Sequence, residues 1–301
     1  MGRRGRVKGL TAPFLFGQAP MCQHQTMIVG ILHPGAMGSA VGRCIQADVV
    51  WGSEARSAAT AERAARSGFR DVVTLAAVAA ESEMVISICP PAAAETVAEE
   101  VSDAGFDGVY VDANAIAPET SRRISMLFPD YVDGGIIGGP PAGPGETRLY
   151  LSGPKSREVA VLFQGSSLEA RPMGDEIGLA SALKAAYAGW TKGSAALLLN
   201  QGAYAQAEGV LDLLFDEFDL SLPGLSDRLR NTAGRVGLKA WRFVGEMGEI
   251  ATAMGDRNLP AGFHQAARSI YAGLEDLKDE PDGHDTADLL TRIAEGPRSD
   301  G

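Results

Sequence analysis

The stretch MIVGILHPGAMGSAVG, which spans Met27–Gly42, decides the expected fold of the chain. Its apolar run Met27–Leu32 is short and β-branched, which is typical of a buried parallel strand. A turn at His33–Gly35 and a helix of small residues at Ala36–Gly42 are predicted to follow. A strand, a glycine turn and a helix start together form the phosphate-binding corner of a Rossmann unit, where helix N–H groups face a dinucleotide pyrophosphate.

Two glycines carry this prediction. Gly35 lets the backbone approach the phosphates, and Gly38 lets the helix pack close to the strand. The fingerprint G-x-G-x-x-G is incomplete, because His33 holds the place of the first glycine. An ordinary βα turn is the alternative for this segment taken alone. The residues expected at the cofactor phosphates are His33, Pro34, Gly35, Ala36, Met37 and Gly38.

Composition excludes several classes of partner. The chain has 301 residues, enough for two domains, and its formal net charge of −11 argues against nucleic acid or an anionic membrane. Cys22, Cys44 and Cys89 lack CxxC spacing, so we expect reduced thiols in a cytoplasmic protein. The four histidines have no paired spacing, and we expect no metal site. No apolar run reaches the roughly 18 residues of a membrane helix.

The end of the second predicted strand, Asp48–Trp51, indicates the choice of cofactor. This position faces the adenosine ribose in a Rossmann domain, where an acidic residue selects NAD and an arginine with hydroxyl neighbours suits the extra phosphate of NADP. Ser53 and Arg56 therefore favour NADP(H), whereas Glu54 leaves NAD(H) possible. The alternative is that Arg56 is a solvated residue at the start of the next helix.

Two further strand ends are expected to line the nucleotide crevice. The apolar strand that begins at Met84 stops at Cys89 and Pro90, which should lie on the nicotinamide side. We interpret Cys89 as a packing residue rather than a nucleophile, because no base lies near it in the sequence. The strand Gly108–Val111 runs into Asn114, which we place among the cofactor and substrate contacts.

A glycine- and proline-rich loop follows the predicted strand Asp130–Ile137. Its backbone N–H groups at Gly138 and Gly139 could meet a substrate, and a plain surface turn is the alternative. The other elements of this α/β half are expected at Ala58–Gly68, Arg70–Ala80, Ala92–Ala104, Arg148–Ser152 and Val159–Phe163.

Four motifs in this order resemble the β-hydroxyacid dehydrogenase superfamily, which includes 3-hydroxyisobutyrate and 6-phosphogluconate dehydrogenases. Pro34–Gly38 is similar to its GLGxMG turn, and Asp112–Pro118 is similar to its DxSTxxP motif, with Asn114 and Ala115 in place of Ser-Thr. Asp133–Gly139 resembles DAPVSGG, with Ile137 in place of the serine. The catalytic signature GxGxxxKxxNN is similar to Gly178–Ala188, where Tyr187 and Ala188 replace the asparagines.

The resemblance implies an α/β Rossmann domain followed by an all-α C-terminal domain of the 6-phosphogluconate dehydrogenase type. The boundaries that we predict are 27–172 for the NAD(P)-binding domain, 173–278 for a helical substrate and dimerisation domain, and 279–301 for a polar tail. Residues 1–26 are basic at the start and are expected to be a disordered or mis-assigned extension. The departures from the motifs indicate a divergent branch with a variant C-terminal domain, so the substrate of a standard member is not carried over.

The first helix of the second half is predicted at Asp175–Glu208, with Asp175 as its cap. The resemblance implies that this helix links the domains and supports a homodimer. Helical spacing projects Lys184, Tyr187 and Thr191 to one side. This arrangement would place a cation and a phenol beneath the cofactor cleft.

Lys184 is the residue that we expect to move a proton. When hydride leaves a carbinol carbon, the hydroxyl proton must go to a base, and in reverse the carbonyl oxygen needs a donor. A lysine whose pKa is lowered by partial burial can serve both directions. A solvent-facing helix lysine is the alternative. Tyr187 is the second catalytic candidate, and packing in the core is its alternative.

The last part of the chain adds one candidate. A helix is expected at Trp241–Ala251, where we interpret Glu246 and Glu249 as solvated, the alternative being contact with substrate or a second subunit. His264 could reach the site as a substrate contact, and a structural histidine is the alternative. A short helix at Asp285–Ala294 would end the fold.

These residues together predict an NADP-preferring oxidoreductase that interconverts a hydroxyl and a carbonyl on a small polar molecule, acidic substrates included. The substrate site is expected at Asn114, Gly138, Gly139 and His264. Two alternatives stay open: an imine reductase-like enzyme, against which Lys184 argues, and a non-catalytic regulatory protein that binds NADPH.

Overall fold

The computed structural model describes residues 1, 27–280 and 283–296; the predicted extension at residues 1–26 therefore lies almost wholly outside the described residues. The α/β half contains eight strands: β1 Ile28–Leu32, β2 Asp48–Trp51, β3 Arg70–Asp71, β4 Met84–Ser87, β5 Val109–Asp112, β6 Asp130–Ile137, β7 Thr147–Ser152 and β8 Leu168–Pro172. Its helices are α1 Ala36–Gly42, α2 Ala58–Arg66, α3 Leu75–Glu81, α4 Ala94–Asp103, α5 Pro118–Ser125 and α6 Ser156–Val161.

The strands form one sheet in the order β3-β2-β1-β4-β5-β6-β7-β8, in which only β6 and β7 pair antiparallel. Side chains of β4 alternate between two cores: Met84 and Ile86 lie on one face and Val85 on the other. The strand order reverses between β1 and β4, and in open α/β sheets ligands bind outside the carboxyl ends of the strands at such a reversal. The predicted Rossmann half is therefore confirmed.

The second half is helical, as the resemblance implied. It contains α7 Leu179–Ala207, α8 Leu211–Ser221, α9 Leu225–Gly255, α10 Gly262–Ala272 and α11 Thr286–Glu295, with a 3-10 turn at Glu275–Asp279. The buried side chains of α7, α9, α10 and α11 form a core of their own. Helix α7 also packs on β6, so it connects this core to the sheet.

Three sequence expectations need correction. Asp175 does not cap α7, because the helix begins after Gly178, whose φ of 97° closes the turn before it. The segment Trp241–Ala251 is not a separate helix but part of the 31-residue α9. The last strand, β8, was not predicted; the element expected at Val159–Phe163 is the end of α6 and the turn after it.

Among the described residues, no helix combines the length and the apolar character needed to cross a membrane.

Candidate active site

The phosphate corner keeps its geometry although His33 replaces a glycine. His33 has a φ of 59°, the left-handed conformation that glycine usually supplies and that histidine tolerates better than most residues. Its carbonyl oxygen accepts the Gly35 N–H at 2.6 Å and would lie 2.9 Å from any Cβ at Gly38. A side chain at position 38 would therefore open the corner, whereas a Cβ at Gly35 would make only an ordinary contact, 3.9 Å from the His33 carbonyl oxygen.

The His33 imidazole is neutral near pH 7. Burial, with a smaller contribution from the positive charge of Arg56, lowers its pKa to about 4. Its Nδ1 is buried without a hydrogen-bond partner. An unpaired polar atom at a phosphate corner fits the approach of a polar ligand, so these residues fit a dinucleotide.

Two arginines lie near this corner, where the sequence predicts the adenosine end of the cofactor. Arg56 is exposed at the β2–α2 turn, and its N–H donates to the Ser53 carbonyl oxygen at 3.1 Å. Arg63 of α2, which sequence reasoning missed, reaches the corner, where its Nε donates to the Pro34 carbonyl oxygen at 3.4 Å. No motif in the sequence around Arg63 indicates this contact, so only the fold reveals it.

Asn114 joins the ends of β4 and β5. Its Oδ1 accepts the Cys89 N–H at 2.6 Å, and its Nδ2 donates to Ser87 Oγ at 3.1 Å. Asn114 is also 3 % exposed, so its observed contacts are structural. Burial raises the pKa of the Cys89 thiol to about 11, which fits the interpretation of Cys89 as a packing residue. Pro90 beside it is exposed at the mouth of the crevice.

The start of α7 is fixed to the sheet by buried hydrogen bonds. Asp133 of β6 accepts the Ser181 N–H at 2.9 Å and the Ser181 hydroxyl at 2.5 Å. Ser152 of β7 donates to Asp133 at 3.0 Å and accepts the Ala180 N–H at 3.1 Å. Because Lys184 follows one turn later, this network determines where its ammonium lies.

Lys184 is held in a partly buried position with a lowered pKa. Its Nζ donates to the carbonyl oxygen of Ile136 at 2.6 Å. Burial is the main cause that lowers its pKa to about 8, and the nearby charges of Lys192 and Arg242 lower it while Glu246 raises it. Lysine thus has both protonation states available near physiological pH, which is what a general acid and base needs.

Lys184 faces a narrow cleft between the two halves of the molecule. The cleft has room for about one water molecule (≈ 10 Å³). Its lining comes from the loop after β5, from α7 and from α9: Ala115, Ile116, Lys184, Ala185, Ala188, Glu246, Glu249 and Ile250.

Glu246 and Glu249 are not solvated, contrary to our expectation. Glu246 forms an ion pair with Lys192, and the two side chains are only 13 % and 17 % exposed. Glu249 Oε2 accepts the Ala117 N–H at 2.7 Å, ahead of α5. These pairs are separated by 54 and 132 residues, so no local pattern could have shown them.

The remaining predicted residues lie outside the lining of the cleft. Tyr187 is 48 % exposed, because a spacing of three residues turns it by about 60° from Lys184 around α7; the alternative that it packs in the core is therefore wrong. Gly138 and Gly139 are exposed just after the end of β6, close in sequence to the Ile136 carbonyl. The roles of these three residues stay predictions.

His264 packs across α7 at the edge of this region. Its Cε1 would lie 3.2 Å from a Cβ at Gly189, and Ile250 of the cleft lies at the same place. Its Nδ1 is buried without a partner, and burial lowers its pKa. A substrate contact by His264 also stays a prediction.

Comparison with known proteins agrees with this architecture. Residues 205–274 match a domain of unknown function, DUF1932. Over 138 residues, the chain is 30 % identical to an uncharacterized 28.5 kDa protein of Methanothermus fervidus; the alignment covers 45 % of this chain and 53 % of that protein. The chain thus spans about half the length of this curated relative.

Solved structures cover far more of the chain. The conserved protein MTH1747, described as structurally similar to 3-hydroxyacid dehydrogenases, is 25 % identical with a TM-score of 0.61 over 84 % of this chain and 98 % of its own. The 3-hydroxyisobutyrate dehydrogenase of Mycobacterium tuberculosis is 17 % identical with a TM-score of 0.64. A reductive aminase of Aspergillus terreus in complex with NADPH is 18 % identical with a TM-score of 0.53. Each match covers 88 % of this chain and 98 % of the other.

The predicted resemblance to the hydroxyacid dehydrogenases is confirmed in the fold. The Rossmann-like sheet followed by a helical region is shared with these structures, and the DUF1932 match falls on the variant C-terminal part. Among the described residues, no cluster of three or more His, Cys, Asp or Glu could hold a metal ion.

Proposed function

We propose that this protein is an NAD(P)-dependent oxidoreductase that interconverts a hydroxyl and a carbonyl on a small polar substrate. The observation that carries the proposal is Lys184, a partly buried lysine with a pKa of about 8 in a cleft below the carboxyl edge of a Rossmann sheet. A nicotinamide dinucleotide, when bound, supplies or accepts the hydride.

The side chains of this protein would then bind, orient and exchange a proton. The corner Pro34–Gly38 holds the pyrophosphate, with Arg56 and Arg63 at the adenosine end. In the reducing direction, the Lys184 ammonium donates a proton to the carbonyl oxygen; in the oxidising direction, neutral Lys184 removes it from the hydroxyl. The Ile136 carbonyl orients the Nζ atom. The apolar walls of the cleft, such as Ala188 and Ile250, keep water out.

Reduction of a C=N bond is the second candidate, because a reductive aminase shares the fold. Lys184 favours the hydroxyl–carbonyl reaction, since the oxygen of an alcohol or carbonyl substrate must exchange a proton with a side chain, and Lys184 can donate or accept it. Screening carbonyl compounds with and without an amine distinguishes the two reactions.

Nicotinamide fluorescence on titration with NADPH and NADH tests the proposal. We expect NADPH to bind more tightly, because the exposed guanidinium of Arg56 can pair with the 2′-phosphate. Arg56→Ala should weaken NADPH binding about tenfold and leave NADH binding within about twofold, because a charge-assisted hydrogen bond contributes about 1.5–3 kcal/mol. Arg66→Ala, an exposed arginine at the other end of α2, is the matched control. Failure of both cofactors to bind would refute the function.

We also propose a homodimer built on α7. Four large side chains, which are 48–71 % exposed, lie on this helix within an arc of about 100°: Tyr187, Trp190, Leu197 and Tyr204. A continuous exposed apolar stripe is typical of an interface, and a second copy of the chain fits the role that the resemblance implies. We expect a dimeric mass in light scattering and a monomeric mass for Trp190→Glu. A monomeric wild-type protein would contradict the proposal.

A further inference from the structure

Two carboxylates of the helical half line the cleft, and the proposed reaction uses neither of them. Glu246 and Glu249 lie one turn apart on α9, within the region matched to a domain of unknown function. Both face the same narrow space as Lys184. Carboxylates in such a place cost free energy unless they are paired, so their partners indicate what they are for.

The charge of Glu246 is matched within the protein. Its Oε2 pairs with the Lys192 ammonium, which also lies 5.0 Å from the centre of the Phe243 ring. The Lys192 carbonyl oxygen accepts the Tyr271 hydroxyl at 2.7 Å, which holds this part of α7 in place. Glu246 therefore needs no further cation.

The charge of Glu249 is not matched by a cation in contact. Its Oε2 accepts hydrogen bonds from two neutral donors, the Ala117 N–H at 2.7 Å and the Thr120 hydroxyl at 3.4 Å. No ion pair among the described residues includes Glu249. The Arg123 guanidinium interacts electrostatically with Glu249 and donates to the Thr120 hydroxyl, but its ion pair is with Glu95.

The negative charge of Glu249 is felt by a second buried acid. Asp112 is fully buried, and its Oδ2 has no hydrogen-bond partner. Burial above all, together with the charges of Asp133 and Glu249, raises the pKa of Asp112 to about 7. Among the residues that line the cleft, Glu249 thus carries a negative charge that no cation of the described residues contacts.

Resting on the proposed function, we propose that Glu249 selects a substrate that carries an ammonium group next to the reacting carbon. The cleft has to widen beyond its size in this structure to admit the substrate; the carbonyl oxygen would then meet Lys184 and the ammonium would donate to Glu249, since both residues line it. The class of substrate is a small amino ketone or, in the opposite direction, an amino alcohol. A carboxylate at that place would meet Glu249 with like charge, so the acidic substrate considered from the sequence is disfavoured.

Three ketones that differ in one substituent test this inference: aminoacetone, hydroxyacetone and pyruvate. Calorimetry on the full-length protein with NADP⁺, which has no hydride to give, measures binding without turnover. We expect aminoacetone to bind at least about tenfold more tightly than pyruvate, because charge-assisted hydrogen bonds contribute about 1.5–3 kcal/mol. Tightest binding of either hydroxyacetone or pyruvate would overturn the inference.

Two variants locate the effect. Glu249→Gln keeps an acceptor for the Ala117 N–H but removes the charge, so it should abolish the preference for aminoacetone and leave hydroxyacetone binding within about twofold. Glu275→Gln removes the same charge from an exposed site and should change neither the preference for aminoacetone nor the binding of hydroxyacetone. An unchanged preference in Glu249→Gln would also overturn the inference.

The outcome is separable from that of the proposed function. NADPH binding is measured independently by fluorescence, so a protein that binds NADPH but prefers pyruvate refutes the substrate class alone. If neither cofactor binds, the same three ketones are titrated into the free protein, where the charge of Glu249 should again favour aminoacetone over pyruvate.

Discussion

Lys184→Met is expected to lower kcat by about 10²–10⁴-fold while NADPH binding stays within about twofold of wild type. Proton transfer by a positioned side chain contributes a factor of this size. Methionine keeps most of the apolar volume of the lysine stem but cannot carry a proton. The phosphate corner is formed by other residues, so the cofactor should bind normally. Turnover is measured as NADPH oxidation with the best ketone found by screening.

The pH profile of the wild-type protein gives an independent test of the same residue. With a pKa of about 8, Lys184 is protonated at lower pH and neutral at higher pH. Reduction needs the ammonium, so its rate should fall as the pH rises through about 8; oxidation needs the neutral amine, so its rate should rise over the same range. These opposite limbs should disappear in Lys184→Met.

Two substitutions serve as controls for Lys184. Lys184→Arg keeps the positive charge but cannot release its proton near neutral pH, so it should be nearly as inactive as the methionine variant. Lys239→Met removes an exposed lysine of α9 and should have full activity. Full turnover of Lys184→Met would refute the assignment of Lys184 as the general acid and base.

Local sequence was sufficient for the strands around the crevice, although not for β8, and for the position of Lys184 on α7. The apolar run before His33 and the four motifs predict the strands around the crevice, because buried parallel strands carry their signal in consecutive residues. Lys184 stands at a fixed distance along α7 from Gly178, so a motif can place it. In both cases the information lies within one short segment.

The other wall of the cleft depends on contacts between distant segments. Glu249 meets the Ala117 N–H across 132 residues, and Lys192 pairs with Glu246 across 54. A glutamate on a predicted helix is usually solvated, and only the packing of α9 against α7 and α5 turns these two inward. The substrate specificity inferred for Glu249 was therefore not readable from the sequence.

The length of α9 was missed for a related reason. Gly234 and Gly237 lower the helix propensity of the segment before Trp241, so the sequence indicates a break there. In the structure, a Cβ at Gly237 would lie 2.9 Å from His284 and 3.2 Å from Leu277. The small residue allows the C-terminal segment to pack on α9, and that tertiary contact outweighs the local preference.

Gly135→Ala is expected to destabilise the protein by about 1–3 kcal/mol and to lower kcat by roughly 10²-fold. Gly135 lies in β6 beneath α7, and a Cβ there would lie 2.7 Å from the Ala180 carbonyl oxygen and 3.2 Å from Lys184 Cβ. The first of these neighbours is backbone, so it cannot turn aside as a flexible side chain would. Accommodating the methyl group requires α7 to move away from the sheet.

That movement is opposed by the buried hydrogen bonds at the start of α7. Asp133 and Ser152 bind the N–H groups of Ser181 and Ala180, and these bonds would stretch as the helix shifts. The cost therefore has two parts: lost stability, measured by thermal unfolding, and a displaced Lys184 ammonium, measured as reduced kcat with NADPH affinity unchanged.

Gly255→Ala is the matched control for this substitution. It adds the same methyl group at the exposed last residue of α9, where nothing lies within 4 Å of the new Cβ. We expect wild-type stability and activity from it. If Gly135→Ala unfolded at the wild-type temperature and kept full turnover, the close contact between β6 and α7 would not be what positions Lys184. Loss of activity in Gly135→Ala but not in Gly255→Ala would instead show that the absence of a side chain at Gly135 lets α7 pack close to the sheet and so positions Lys184 at the cleft.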